Sequence, residues 1–137
     1  MVEKIARFMR DNDKVAVWLN IDVLSVKTGY AKMGMTVRAD MLNAAGICQG
    51  GALFSFADFA FAVASNSHGT LALATSADIH FTNPALPDDR LIAEAQELQR
   101  SKRTGFYQIA VTREADGKLI ALLGGNVFVK EERIKTE

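Results

Sequence analysis

The sequence is poor in the residues that disulfides and metal clusters require. Among its 137 residues there are one cysteine, Cys48, and two histidines, His68 and His80. A single cysteine can form neither an intrachain disulfide nor a thiolate zinc cluster, and two histidines argue against a multi-histidine metal site. We therefore expect no metal and no cofactor. Because the chain also opens without a signal-peptide pattern, we expect a cytoplasmic location.

An excess of charge of one sign is also missing. Lys and Arg together number 16, as do Asp and Glu, so the formal net charge is zero. Binding to nucleic acid or to an anionic membrane through general charge needs a basic excess, and the balance argues against both. The longest apolar stretch, residues 52–64, is too short to span a bilayer. With 49% hydrophobic residues, we expect one globular domain over residues 1–137.

The hydrophobic pattern predicts a helix, two strands, a second helix and then four strands. The predicted helices cover residues 3–12 and 52–67, and the predicted strands cover residues 21–26, 30–37, 71–81, 90–100, 106–113 and 118–130. Residues 15–20 either extend the first helix or form a bridge. Asp116-Gly117 predicts a hairpin between the last two strands.

These elements indicate an α+β fold. Long strands without helices between them indicate an antiparallel sheet. The second helix is apolar on nearly all faces, so it should be surrounded by protein on every side. We therefore expect a curved sheet wrapped around this central helix, with a subunit contact covering whatever the sheet leaves open.

Asp58 stands alone in the longest uncharged stretch of the chain. Between Asp40 and Asp78 it is the only Asp, Glu, Lys or Arg. A lone carboxylate in an apolar helix is costly to bury unless it is paired, hydrogen-bonded or protonated. A catalytic role, as base or nucleophile, would explain its presence. A carboxylate that caps a neighbouring loop or subunit would explain it equally well, and the pattern alone does not decide between the two.

A glycine-rich loop leads directly into the same helix through Gly50 and Gly51. The free N–H groups at a helix N-terminus can bind an anion or stabilise a developing oxyanion, although an ordinary turn has the same composition. Two amides near this loop, Asn43 and Gln49, could orient a water molecule or merely satisfy the loop backbone. Asn12, between two aspartates, is interpreted as a helix cap.

Two further groups of residues are weaker candidates for a substrate site. Arg100, Lys102 and Arg103, next to Thr104, form a basic cluster that could contact phosphates, whereas a solvated turn is the simpler explanation. Phe54 and the other aromatic residues of the central helix suggest an aromatic-lined pocket, but packing in the core accounts for them equally well.

The loop and the helix together resemble a known family. Residues 43–51 read NAAGICQGG, residues 54–62 read FSFADFAFA, and Asn66-Ser67 follows. This resembles the N-x-x-G-x-x-H-G-G loop and the L-A-D-x-A-F-A-x-A-x-N-S helix of hotdog-fold acyl-CoA thioesterases of the phenylacetic-acid-degradation (PaaI-like) type. The stretches 11–13 and 104–107 are also similar to family positions.

The resemblance implies a hotdog fold and hydrolysis of an acyl-CoA, with an aryl, short or medium acyl group. CoA is then part of the substrate and not a cofactor. The resemblance also implies a homodimer that shares a continuous sheet, or a homotetramer built as a dimer of dimers. The active site would lie at the dimer interface, where Asp58 of one subunit faces the Gly-Gly loop of its partner.

Residue roles follow from the same resemblance. Asp58 would be the nucleophile or the base that activates water, the Gly50 N–H would polarise the thioester carbonyl, and Asn12 would help to place water or the leaving group. Apart from these roles, we expect the candidates from the sequence itself to contact the substrate: Asn43, Gly51, Phe54, Arg100, Lys102, Arg103 and Thr104. Gln49 departs from the family histidine: it can form hydrogen bonds, but it cannot titrate near neutral pH.

Two other functions fit the sequence less well. A hotdog enoyl-CoA hydratase or dehydratase usually pairs a histidine with an acid, and the loop histidine is absent here. A non-catalytic protein that binds acyl-CoA is favoured by Gln49 and disfavoured by the presence of Asp58.

Overall fold

The computed structural model describes all 137 residues as one sheet with a long helix against it. In chain order the elements are α1 (Val2–Asn12), α2 (Lys14–Trp18), β1 (Asp22–Lys27), β2 (Tyr30–Thr36), a short 3-10 helix (Ala39–Met41), α3 (Gly50–Asn66), β3 (Thr70–Phe81), β4 (Arg90–Arg100), β5 (Thr104–Arg113) and β6 (Leu119–Arg133). The predicted order of elements is confirmed. The undecided segment after α1 is a separate helix, which Asp13 caps by accepting a hydrogen bond from the Ala16 N–H at 3.0 Å.

The six strands form a single antiparallel sheet in the order β1-β2-β4-β5-β6-β3. The predicted hairpin joins β5 to β6. At its turn Gly117 has a φ of +72°, and Asp116 Oδ1 accepts a hydrogen bond from the Lys118 N–H at 3.1 Å. The predicted α+β architecture, a curved sheet around a helix, is confirmed.

A close fit between an aromatic side chain and a glycine seats α3 on the sheet. Phe61 on α3 contacts the Tyr107 ring of β5, with ring centroids 5.6 Å apart. Its ring also lies directly over Gly125 of β6, where a Cβ atom would come within 2.6 Å of the ring. Only a residue without a side chain leaves room for the helix at this point.

The single chain leaves one face of α3 uncovered, and the subunit contact that we expect to cover this face stays a prediction. Along this face Gly51 and Asp58 are exposed, whereas Ser55 and Ala62 are half-buried. Asp58 lies on this open stripe, so its carboxylate is not buried within the single chain. The opposite faces of α3 pack against strands β2–β6.

The sheet ends in a long exposed edge. β3 has 12 residues and pairs only with β6, so its other side offers unpaired backbone N–H and C=O groups. Residues 73–78 are all exposed, and a bulge interrupts the pairing between Ala74 and Ser76. A long free edge of this kind is a template for pairing with another strand.

Replacing Gly125 by Ala is expected to lower the free energy of unfolding by about 1–3 kcal/mol, because the added methyl group overpacks the contact with Phe61. Urea unfolding followed by circular dichroism measures the change. Gly124→Ala is the matched control, since a Cβ there meets only Asp78 Oδ1, at 3.4 Å. Equal losses in the two variants would show that Gly125 does not seat the helix.

Candidate active site

Asp58 lies in a recess of about 330 Å³ between α1, α3 and β3. Ten of the thirteen residues that line the recess are hydrophobic, and Asp58 is the only charged one. Phe8 and Met9 line the recess from α1, Phe61 lines it from α3, and Leu71 lines it from β3. The carboxylate therefore stands at the side of an apolar cavity that opens to solvent.

The surroundings of Asp58 favour its protonated form. The side chain is exposed in the single chain, but the nearby apolar walls remove part of its hydration and raise the pKa of its carboxyl above the usual 3.8. The negative charge of Asp13 raises the pKa further. No hydrogen bond within the chain acts against these effects. Asp58 therefore caps no loop of its own chain, so only a cap on a neighbouring subunit is left of that alternative interpretation.

The loop before α3 is held by its own backbone and by one amide. Asn43 Oδ1 accepts hydrogen bonds from the N–H groups of Ala45 at 2.9 Å and Ile47 at 3.3 Å. The Cys48 N–H donates to the Ala85 carbonyl, and the Gln49 N–H donates to the Met41 carbonyl, both at 2.8 Å. The amide oxygen of Asn43 thus satisfies the loop backbone, which was the second of its two predicted roles.

The N-terminus of α3 leaves two backbone donors free. The N–H groups of Gly50 and Gly51 have no acceptor in the chain. Gly50 lines a second recess, of about 450 Å³, in which the Phe81 ring would lie 3.0 Å from a Cβ at Gly50. The Gln49 side chain turns away from this recess and lies over Gly51. A carbonyl oxygen in the second recess could accept a hydrogen bond from Gly50.

Asp58 and Gly50 do not meet within one chain. They are eight residues apart on the same helix, so about 12 Å of helix axis separates them. They also line different recesses. A single chain therefore holds the two halves of the predicted constellation at two separate places.

Asn12 lies at the end of α1. Its Nδ2 donates to the Phe8 carbonyl at 2.8 Å, and its side chain is exposed. The interpretation of Asn12 as a helix cap is wrong, because Asn12 is the last residue of α1 and Asp13 is the cap residue that follows it. The cap of the next helix is Asp13. Phe54 is half-buried and packs against the core without lining the recess of either Asp58 or Gly50.

The basic cluster is split by the structure. A bulge between Glu97 and Gln99 turns Arg100 toward the inner face of the sheet, where its guanidinium donates to the Ser65 carbonyl at 3.4 Å and to Thr70 Oγ1 at 3.2 Å.

The other members of the cluster stay at the surface. Lys102 is exposed, Arg103 lies 3.5 Å from Glu131, and the hydroxyl of Thr104 lies 2.9 Å from Ser101 Oγ. None of the four lines the recess of Asp58 or of Gly50 within the chain.

The sequence did not reveal a polar network beneath the end of α3. Glu97 accepts hydrogen bonds from the Tyr107 hydroxyl and pairs with His68 Nε2 at 2.8 Å. Burial pushes the pKa of Glu97 upward, but the hydrogen bonds from Tyr107 and His68 outweigh it and hold the pKa below its usual value. His68 and Glu97 are 29 residues apart, so no local pattern links them.

The walls that α1 contributes to the recess were also missed, although one signal was present. Ile5, Phe8 and Met9 share one face of α1.

No group of three or more His, Cys, Asp or Glu side chains comes together in the chain as a metal site would require. No helix has both the length and the apolar character needed to cross a membrane.

Replacing Asp58 by Asn is expected to raise the free energy of unfolding at pH 7. The folded chain raises the pKa of this carboxyl, so the ionised form costs stability above that pKa, and the cost vanishes once the group is protonated in both states. The gain should therefore shrink as the pH falls toward 3.8. Urea unfolding of both proteins between pH 7 and pH 3.8 measures the difference in stability. Glu114→Gln in the exposed β5–β6 turn is the control. A variant that is less stable at pH 7 would contradict the expectation.

Comparison with known proteins identifies the family and agrees with the fold. Residues 45–120 match the sequence pattern of the Thioesterase superfamily. The acyl-coenzyme A thioesterase PaaI of Escherichia coli is 43% identical over 120 residues, which cover 88% of this chain and 85% of the relative. Its solved structure superposes with a TM-score of 0.94 at 40% identity, over 98% of this chain and 96% of that one. The TT0310 protein of Thermus thermophilus gives a TM-score of 0.77 at 39% identity, over 89% and 96%. The chain therefore belongs to the thioesterase superfamily and is a hotdog-fold thioesterase of the PaaI-like type.

Proposed function

We propose that the protein hydrolyses an acyl-CoA thioester to a free acid and CoA, with Asp58 as the nucleophile or general base. The observation that carries this proposal is a carboxylate with no partner in its own chain, set in an apolar recess that raises its pKa. The name of the E. coli relative supports acyl-CoA as the substrate.

The chemistry requires little beyond a base and an oxyanion site. In the base route, Asp58 takes a proton from a water molecule while the water oxygen attacks the thioester carbonyl. The Gly50 N–H then stabilises the oxyanion, and the C–S bond breaks as CoA leaves as a thiolate that afterwards takes up a proton. In the nucleophile route, the Asp58 carboxylate attacks the carbonyl, the C–S bond breaks as CoA leaves as a thiolate that takes up a proton, and water then hydrolyses the mixed anhydride to the free acid and the Asp58 carboxylate. A raised pKa makes Asp58 a stronger base, and neither route needs a metal or cofactor.

We propose that one site is assembled from two subunits. Asp58 and Gly50 are too far apart to act on the same carbonyl within one chain, and both are accessible from outside it. The free edge of β3 supports a homodimer in which two sheets join edge to edge, and two such dimers would form a homotetramer. In this arrangement the Asp58 recess of one subunit faces the Gly50 loop of the other.

The remaining candidates take supporting roles. Gln49 and the free Nδ2 of Asn43 would orient water or the carbonyl through hydrogen bonds, and Asn12 would act from the end of α1. Lys102 and Arg103 are exposed and available for the phosphates of CoA, whereas the guanidinium of Arg100 is already bound to Ser65 and Thr70. A protein that only binds acyl-CoA is the competing function, and Gln49 is the feature that favours it.

Replacing Asp58 by Asn is expected to lower kcat/KM by about 100-fold or more, as loss of a general base typically does. Release of free CoA thiol from a panel of aryl, short-chain and long-chain acyl-CoA thioesters measures the rate. Glu114→Gln should retain the wild-type rate. Full activity in the Asp58 variant would overturn the mechanism, and tight binding without hydrolysis by the wild type would favour the binding protein.

Mixing two inactive variants tests the shared site. Dimers that combine Asp58→Asn with a Gly50→Pro chain hold one site with an intact Asp58 and an intact loop. Random pairing should therefore restore about a quarter of the wild-type activity, because half of the dimers are mixed and each has one good site. Activity no greater than that of the separate variants, in samples shown by native mass spectrometry to contain mixed dimers, would overturn the proposal of a site shared between subunits.

A further inference from the structure

We propose that Phe8, Met9 and Ile134 set the length of the acyl group that the Asp58 recess accepts. The inference rests on the proposed function, since it places the acyl group of the thioester in this recess. All three side chains line the recess, and all three lie outside the central helix and the strands.

The chemistry of the recess fits a hydrocarbon chain. Asp58 is its only charged residue, and the lining is otherwise mostly hydrophobic. A polar acyl group would lose hydration there without compensation, whereas an alkyl or aryl group would gain from burial. The volume of about 330 Å³ lies at the lower end of the range of about 300–1,000 Å³ for small-molecule sites. The recess therefore suits the acyl part of a thioester and leaves CoA outside.

The walls of the recess are of two kinds. Phe61 and Val127 are buried in the core, so a change in their size disturbs the packing of the whole chain. Phe8, Met9 and Ile134 are only half-buried. Their size can change at a smaller cost to the fold, and the space beside Asp58 changes with it.

The wall formed by Phe8, Met9 and Ile134 is attached to the rest of the chain on both sides. Ile5 and Ala6 of α1 are buried, and Arg10 Nε donates a hydrogen bond to the Ile21 carbonyl. On the other side of the recess, the Ile134 N–H donates to the Gly69 carbonyl at 2.9 Å.

An ion pair joins these two segments, because Lys4 Nζ of α1 lies 3.4 Å from Glu137 Oε1 beyond β6. Both side chains are exposed, so this pair adds little; the buried residues of α1 and the backbone hydrogen bond of Ile134 are what fix the wall.

The test measures kcat/KM for straight-chain thioesters from acetyl-CoA to dodecanoyl-CoA. Phe8→Ala and Ile134→Ala should each raise the octanoyl-to-butyryl ratio by about tenfold or more, the usual scale of discrimination by a hydrophobic pocket. Met9→Trp should lower the same ratio. Leu24→Ala removes an exposed apolar side chain on β1 and should leave the ratio unchanged. Ile134 lies outside every helix and strand, so the Ile134→Ala variant tests the proposal even where Phe8→Ala does not fold.

A binding measurement separates the two proposals. Calorimetry in an Asp58→Asn background gives Kd for the same thioesters without cleavage, and the two alanine substitutions should shift Kd in favour of the longer chains. If the wild type hydrolyses no thioester but the Kd shift is found, the hydrolytic function fails and the assignment of the recess stands. If hydrolysis depends on Asp58 but neither alanine variant alters the length profile or Kd, the assignment of the recess is overturned alone.

Discussion

The structure depends on one helix that has almost no polar face. Exposing the apolar side chains of α3 to water would greatly destabilise the fold, so the sheet must cover the helix. Strands β2–β6 all pack against the helix and leave one stripe uncovered. Asp58 lies on that stripe. The burial that drives the chain to fold therefore also decides where the one carboxylate of α3 lies. Helix α1 completes its apolar surroundings.

The elements that could be predicted are those with local signals. The composition of α3, the alternation in β2 and the Asp116-Gly117 turn each act within a few residues. The strand order and the open stripe could not be predicted, because they depend on which distant strands pair and how far the sheet reaches around the helix. For the same reason the exposure of Asp58 within the single chain could not be predicted. An apolar sequence shows that a helix needs covering, but it does not show how much of it one chain covers.

The candidate site divides in the same way. The absence of other charges near Asp58 was visible in the sequence, and so were the glycines before α3. Their separation into two recesses follows from helix geometry together with the surrounding strands. Arg100 shows most clearly what the sequence cannot predict. A bulge in β4 changes the face of the sheet on which its side chain lies. The guanidinium therefore donates to Thr70 and does not lie at the surface with Lys102.

The contact between Phe61 and Gly125 has an evolutionary consequence. The aromatic ring occupies the volume that any side chain on the strand would need, so neither position can accept a larger residue alone. A chain in which the strand residue gained a side chain would survive only if the helix residue had already become smaller. The two sites should therefore drift together among related sequences, while Gly124, one residue away on the other face, is free to vary by itself.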